Sequence, residues 1–303
     1  MKIAVLLSSY NGEKYLGEQL DSLINQSLRP SQIIIRDDGS TDGTFAILDK
    51  YCQEYDFISY EKGENLRPAR SFMELIRKAP DADYYALCDQ DDVWFRDKLK
   101  RAVLMLQKED ENQALLYCGR FILTDEKLNP LESEVSSLYS YTDFAHSLLY
   151  TTAPGCTMVF NARARDYIIR YDMNKEYVII HDSIIHKVVA MFGKVILDEE
   201  PMMYYRQHGS NEIGLDGNII KANIKRISRF LGGKSRKIRS KTAQSLINVY
   251  GSDCPKDKLD LLECVAFYEI DSNYQRRLLK DKCFKVAGIN YVLFKVLVLL
   301  RYI

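Results

Sequence analysis

The sequence predicts an α/β fold: a mostly parallel sheet flanked by helices, followed by a small helical C-terminal region. Three observations carry this. Short apolar runs alternate with segments of helical periodicity over roughly the first 120 residues, the runs end abruptly in polar turns, and the connections are short. With 303 residues the chain accommodates one large domain, 1–215, and a second unit, 216–303.

Ile3 to Leu7 is a continuous apolar run and the first strand, closed by Ser8-Ser9-Tyr10-Asn11-Gly12. Tyr15, Leu16, Gln19, Leu20, Leu23 and Ile24 recur at helical spacing. Ile33 to Ile35 is a second strand running into Arg36-Asp37-Asp38-Gly39-Ser40, and Asp42 can cap the next helix, whose buried face uses Phe45, Leu48, Tyr51 and Cys52. A strand at Phe57 to Tyr60, a helix from about Ala69 to Lys78 and a strand at Tyr84 to Cys88 follow. Pattern weakens between Thr124 and Ser147. Beyond it come a strand at Thr157 to Phe160, a helix from His181 and a short strand at Lys194 to Leu197.

Composition narrows the class. Hydrophobic residues make up 47% and charged residues 28%, a globular balance. Formal net charge is zero, which argues against nucleic acid as a partner. The seven cysteines are scattered singly with no CxxC pair, so neither a disulfide framework nor a zinc site is expected, and a reduced, cytoplasmic setting fits. The N-terminus reads as a first strand rather than a signal peptide.

In open α/β sheets ligands bind beyond the carboxyl ends of the strands. That rule gathers Ser8 to Asn11, Asp37 to Ser40 and Asp89-Gln90-Asp91-Asp92 at one edge. Carboxylates at this density repel one another unless a cation holds them. Two side chains in a turn leaving a strand can converge on one hard dication, and Mg²⁺ or Mn²⁺ suits oxygen ligands beside a diphosphate. The plainer reading makes Asp92 the cap of a helix starting near Trp94 and the other acids solvated. Asp37-Asp38 likewise reads either as a turn or as an acceptor for nucleobase N–H and ribose hydroxyl groups.

Ser-Ser-Tyr-Asn-Gly at 8–12, Arg-Asp-Asp-Gly-Ser-Thr-Asp at 36–42, Asp-Gln-Asp-Asp-Val-Trp at 89–94 and Tyr-Arg-Gln-His-Gly-Ser-Asn at 205–211 occur in that order. Together they resemble family 2 inverting glycosyltransferases with the Rossmann-like GT-A fold. The nearest likeness is to bacterial rhamnosyltransferase-type members that build cell-wall or capsular polysaccharide. The resemblance covers about residues 1 to 212. It implies that Ser8, Tyr10 and Asp38 hold the nucleobase and ribose, with Arg70 touching the nucleotide and Asp89 facing ribose or sugar. It also implies Asp91 and His208 as metal ligands, Arg206 near the phosphates, and Asp182 as the base that deprotonates the acceptor hydroxyl. The implied donor is dTDP-β-L-rhamnose, with a UDP-sugar as the alternative, and the acceptor is a glycan or lipid-linked glycan. The family often carries aromatic residues directly after the base; here Ser183, Ile184 and Ile185 follow.

The C-terminal unit has its own character. Between Lys221 and Lys241 there are nine Lys/Arg and no Asp or Glu, and Ile224, Ile227, Phe230 and Leu231 fall on one helix face. The tail, CFKVAGINYVLFKVLVLLRYI, is apolar but broken by Lys285, Asn290, Lys295 and Arg301, short of the ~18 uninterrupted apolar residues of a spanning helix. An interfacial helix at the inner face of the plasma membrane is expected, since anionic lipid attracts basic segments; a homodimer interface is the competing use. A sugar-nucleotide pyrophosphorylase would carry a Gly-rich basic loop after the first strand, and a nicotinamide dehydrogenase GxGxxG; neither is present. A non-catalytic scaffold has no need of Asp91, Asp182 and His208 together.

Overall fold

The computed structural model describes residues 1–131, 141–149, 153–177, 180–209, 237–285 and 289–303. Eight strands form one sheet: β1 (Ile3–Ser9), β2 (Gln32–Asp37), β3 (Ile58–Lys62), β4 (Tyr84–Asp89), β5 (Val93–Trp94), β6 (Ala114–Thr124), β7 (Met158–Asn161) and β8 (Gly193–Arg206). Their spatial order is β3-β2-β1-β4-β7-β6-β8-β5. β3, β2, β1 and β4 are parallel neighbours, as are β6 and β8; β7 runs antiparallel between β4 and β6, and β5 antiparallel to β8. The carboxyl ends of β1, β2, β4, β6 and β8 therefore share one edge. The reversed β7 brings the chain that enters it to that edge too.

Both sheet faces are covered, so strands read as apolar runs. Ile3, Val5 and Leu7 of β1 point to one face, where they meet Leu16, Leu20 and Leu23 of α1 (Leu16–Ile24), Leu48 of α2 (Thr44–Glu54), and Leu99, Val103 and Leu106 of α4 (Lys98–Leu106). Ala4 and Leu6 point to the other. There they pack with Phe72, Leu75 and Ile76 of α3 (Arg67–Lys78), and with α5 (Phe144–Leu149), α6 (Ala162–Ile168) and α7 (His181–Phe192). Each such side chain, fully buried, contributes about 1.5–3 kcal/mol relative to exposure.

In α2, Leu48 and Tyr51 are buried as expected, whereas Phe45 and Cys52 are half-buried. Asp42 does serve that helix: its Oδ1 accepts the Thr44 N–H at 3.1 Å.

The C-terminal helices α8 (Ile238–Tyr250), α9 (Lys256–Phe267), α10 (Ser272–Lys280) and α11 (Ile289–Leu299) share the second core, through Leu246, Tyr250, Leu262, Val265, Leu278, Phe294 and Val298. Lys258 Nζ donates to the last carbonyls of α7, Ala190 O at 2.7 Å and Met191 O at 2.9 Å, where a cation complements the helix dipole. Phe294, Leu297 and Val298 of the tail helix face inward, while Val292, Val296, Leu299 and Leu300 are exposed. No helix among the described residues is long and apolar enough to cross a membrane. The expected boundary at 215/216 and the helix carrying Ile224 to Leu231 lie outside the described residues.

Candidate active site

A cleft of about 910 Å³ opens at the carboxyl edge of the sheet, and seven of the residues singled out in the sequence line it: Ser8, Tyr10, Asp38, Asp89, Asp91, Asp182 and His208. On its first side, β1 and β2 end in a braced turn. Asp37 is buried and accepts the N–H groups of Gly39 (3.0 Å) and Ser40 (2.7 Å) on Oδ1 and the hydroxyls of Ser9 (2.8 Å) and Ser40 (2.6 Å) on Oδ2. Its acceptor sites are spent inside the protein. Asp38 is the acid that reaches the cleft, ion-paired with buried Arg36 and accepting the Leu66 N–H at 3.0 Å. Gly39 sits at φ +83°, and a Cβ there would meet Gly63 O at 3.2 Å, so the turn needs glycine.

Tyr10 holds its ring at the mouth, 46% exposed. Gln90 fixes its backbone from both ends: the Tyr10 N–H donates to Gln90 Oε1 at 2.9 Å and Gln90 Nε2 donates to Tyr10 O at 3.0 Å. Arg70, by contrast, is exposed on α3 and does not line the cleft; Arg67 does. Arg67 takes φ 63° at the start of α3, a left-handed bend just before Pro68 that spacing alone does not reveal.

The acidic loop between β4 and β5 divides its carboxylates by direction. Asp91 lines the cleft with its Oδ2 at 2.7 Å from His208 Nε2, and Asp89 lines it alongside. Burial, then the Asp91 charge, raises Asp89 above the ordinary carboxylate range. Asp92 turns inward, with Oδ1 accepting the Arg206 N–H at 3.3 Å and Oδ2 without a partner. Burial and the charges of Asp91 and Asp89 push it far up, which favours the neutral acid. It caps no helix: Val93–Trp94 forms β5 against β8, and α4 begins only at Lys98, after Asp97.

Arg206 also departs from expectation. It is buried and does not line the cleft; Nε donates to Asp91 O at 2.8 Å, Nη1 to Glu126 O at 2.5 Å and Nη2 to the Glu18 carboxylate. Its guanidinium positions the loop rather than meeting phosphates. Behind the loop, buried Lys98 donates to Cys156 O at 2.6 Å, and burial lowers it to about 8. Asp89, Asp92 and Cys156 bring ligand atoms within 4.8 Å of one another, yet a buried thiol and a buried neutral acid beside Lys98 make a poor set for a hard dication. The carboxylate and imidazole of Asp91 and His208, converging on the cleft, fit Mn²⁺ or Mg²⁺ better.

The opposite wall comes from Pro154, Gly155 and the start of α7. Asp182, in its first turn, is buried and accepts the Ser183 N–H at 2.5 Å. Burial raises it to about 7; the Ser183 N–H and the buried Lys187 ammonium oppose that rise. His181 stacks on Phe72 with ring centroids 4.4 Å apart. Ile184 and Ile185 are fully buried, so no aromatic platform follows the acid. Lys14 and Glu126, ion-paired at 2.5 Å across the rim, also line the cleft and gave no signal in the sequence.

The sequence model of glycosyl transferase family 2 matches residues 4–183, more than half of the chain and nearly all of this cleft. The chain belongs to glycosyl transferase family 2. As a family 2 glycosyltransferase it is an enzyme dependent on nucleotide sugars. It is 29% identical over 255 residues to the dTDP-rhamnosyl transferase RfbG of Shigella flexneri, covering 79% of this chain and 84% of that one. Two solved structures share its fold. S. aureus TarS, residues 1–349, matches with TM-score 0.58 at 16% identity, over 98% of this chain and 81% of that one. The mannosyltransferase PcManGT of Pyrobaculum calidifontis, in complex with GDP-Man and Mn²⁺, matches with TM-score 0.55 at 14% identity, over 97% and 78%. The α/β fold expected of family 2, a curled and mostly parallel sheet, is the fold found.

Proposed function

We propose that this enzyme transfers L-rhamnose from dTDP-β-L-rhamnose, with inversion, to a hydroxyl of a glycan or lipid-linked glycan acceptor in cell-surface polysaccharide synthesis. The observation that carries the chemistry is one cleft lined by Asp38 and Tyr10, by Asp91 with His208, and by Asp182. The similarity to RfbG supports the choice of donor. Tyr10 offers an aromatic face to the base, and Asp38, with Arg36 and the Leu66 N–H fixing it, accepts from base or ribose. Asp91 and His208 would hold a dication, which when bound would neutralise charge on the leaving diphosphate. Arg206 and Gln90 keep the loop and Tyr10 in place before substrate arrives. Asp182 takes the acceptor hydroxyl's proton as that oxygen attacks C1 from the face opposite the diphosphate; the linkage formed is α.

Calorimetry with dTDP-L-rhamnose, UDP-glucose, UDP-galactose and UDP-N-acetylglucosamine, each with Mn²⁺ and with EDTA, tests this. The expected result is binding of dTDP-L-rhamnose that EDTA weakens. TarS has been solved with UDP-GlcNAc and PcManGT with GDP-Man and Mn²⁺, so selective UDP-sugar binding would replace the donor but keep the chemistry. Binding of none would favour the scaffold reading.

The exposed stripe Val292, Val296, Leu299 and Leu300 supports peripheral attachment to a membrane surface through the C-terminal region, with a homodimer interface as the competing use. Val296→Glu with Leu299→Glu is expected to cut co-sedimentation with anionic vesicles by about tenfold or more, since each apolar side chain lost from the interface is worth about 1.5–3 kcal/mol. Unchanged sedimentation, with a halved solution mass, would assign the stripe to a dimer.

A further inference from the structure

His181 is the buried polar group that the chemistry above leaves unused. Its side chain is 5% exposed and lines the cleft, immediately before Asp182. Neither ring nitrogen has a hydrogen-bond partner. Buried polar atoms are nearly always paired, because an unpaired one forfeits its hydration without return. A ring needed only to stack on Phe72 would do so as phenylalanine and avoid that loss. Gly155 adds to the pattern: a Cβ there would collide with Nε2, so the missing side chain leaves that nitrogen its space.

Resting on the reading of the cleft as a sugar-transfer site, we propose that His181 hydrogen-bonds a hydroxyl of a bound sugar beside Asp182 through one ring nitrogen, donating or accepting according to its tautomer. Three competing uses fit less well. Burial lowers the imidazole to about 3, so it stays neutral and is too weak to act as the base in place of Asp182. It belongs to no cluster of metal-binding side chains among the described residues. A phosphate only accepts hydrogen bonds and could pair with the protonated nitrogen alone. A hydroxyl both donates and accepts, as a neutral imidazole does.

The sugar is either the one being transferred or the terminal sugar of the acceptor, and His181→Phe separates them, since it keeps the ring and removes the nitrogens. If the donor sugar is the partner, dTDP-L-rhamnose binds the variant about tenfold more weakly while dTDP alone binds as before, the loss of roughly one well-formed hydrogen bond. If the acceptor is the partner, donor affinity holds and KM rises about tenfold for the unextended glycan extracted from a strain lacking the enzyme. Equal weakening of dTDP and dTDP-L-rhamnose, or no change in either measurement, would overturn the assignment in favour of packing. Should the variant not fold, the wild type answers instead. With ¹⁵N-labelled histidine, the ring signals of His181 shift on adding dTDP-L-rhamnose or the glycan but not dTDP; signals unmoved by both sugars overturn it. A wild type that binds no sugar nucleotide and extends no glycan overturns the transfer reading itself, before any variant is compared.

Discussion

Asp182→Asn is expected to fold, to bind its sugar nucleotide as the wild type does, and to lose roughly 10²–10⁴-fold in kcat, the usual range for a positioned general base. The amide matches the carboxylate in size and keeps an oxygen to accept the Ser183 N–H. What it lacks is a site for the acceptor's proton. The wild-type pH profile carries the same information. Asp182 works deprotonated and burial sets it near 7, so kcat/KM is expected to rise with pH through about 7 and level off above. The variant should lose that rising limb. Wild-type-like turnover by Asp182→Asn would move the base to another residue.

Asp91→Asn is expected to weaken the response to Mn²⁺ sharply. Loss of a partner one step removed from a metal already costs roughly 10–100-fold in affinity or activity, and a direct ligand costs at least as much. Excess Mn²⁺ should restore part of the rate. In the metal-free protein the same change removes a negative charge beside Asp89, and thermal melting in EDTA should rise or hold rather than fall. Asp92→Asn supplies the contrast. That residue is buried and favoured as the neutral acid, so amide replaces acid with little change in charge, and the metal response should persist. Loss in Asp92→Asn but not in Asp91→Asn would put the ion on the inner trio with Cys156 instead.

Strands β1, β2 and β4 are legible because each is an apolar run cut off by a polar turn, and the edge rule gathers Ser8, Asp38 and Asp89 from the sequence alone. Less could be read where packing crosses long sequence distances. β6 is an apolar run too, but Gly119 and Arg120 interrupt it. β5 is two residues long and exists only by pairing with β8, so Asp92 looked like a helix cap. Arg206 shares its motif with His208, yet its guanidinium reaches Glu18, Asp91 and Glu126, contacts that no local pattern encodes. Arg67, which lines the cleft in place of the expected Arg70, sits at a left-handed bend that opens α3.

The reversed direction of β7 has a consequence for how such an enzyme diversifies. Ser8 to Asn11, Asp38 and Asp89 to Asp91 stand where the chain leaves a forward strand, whereas Pro154 and Gly155 stand where it enters a backward one. On the reading proposed above, the residues that would meet the nucleotide and the wall around Asp182 come from two separate stretches of sequence, joined by the sheet. Drift in the second stretch would then retarget the proposed acceptor while the first keeps its hold on the nucleotide. A chimera exchanging residues 153–185 with a relative is the natural unit of such change.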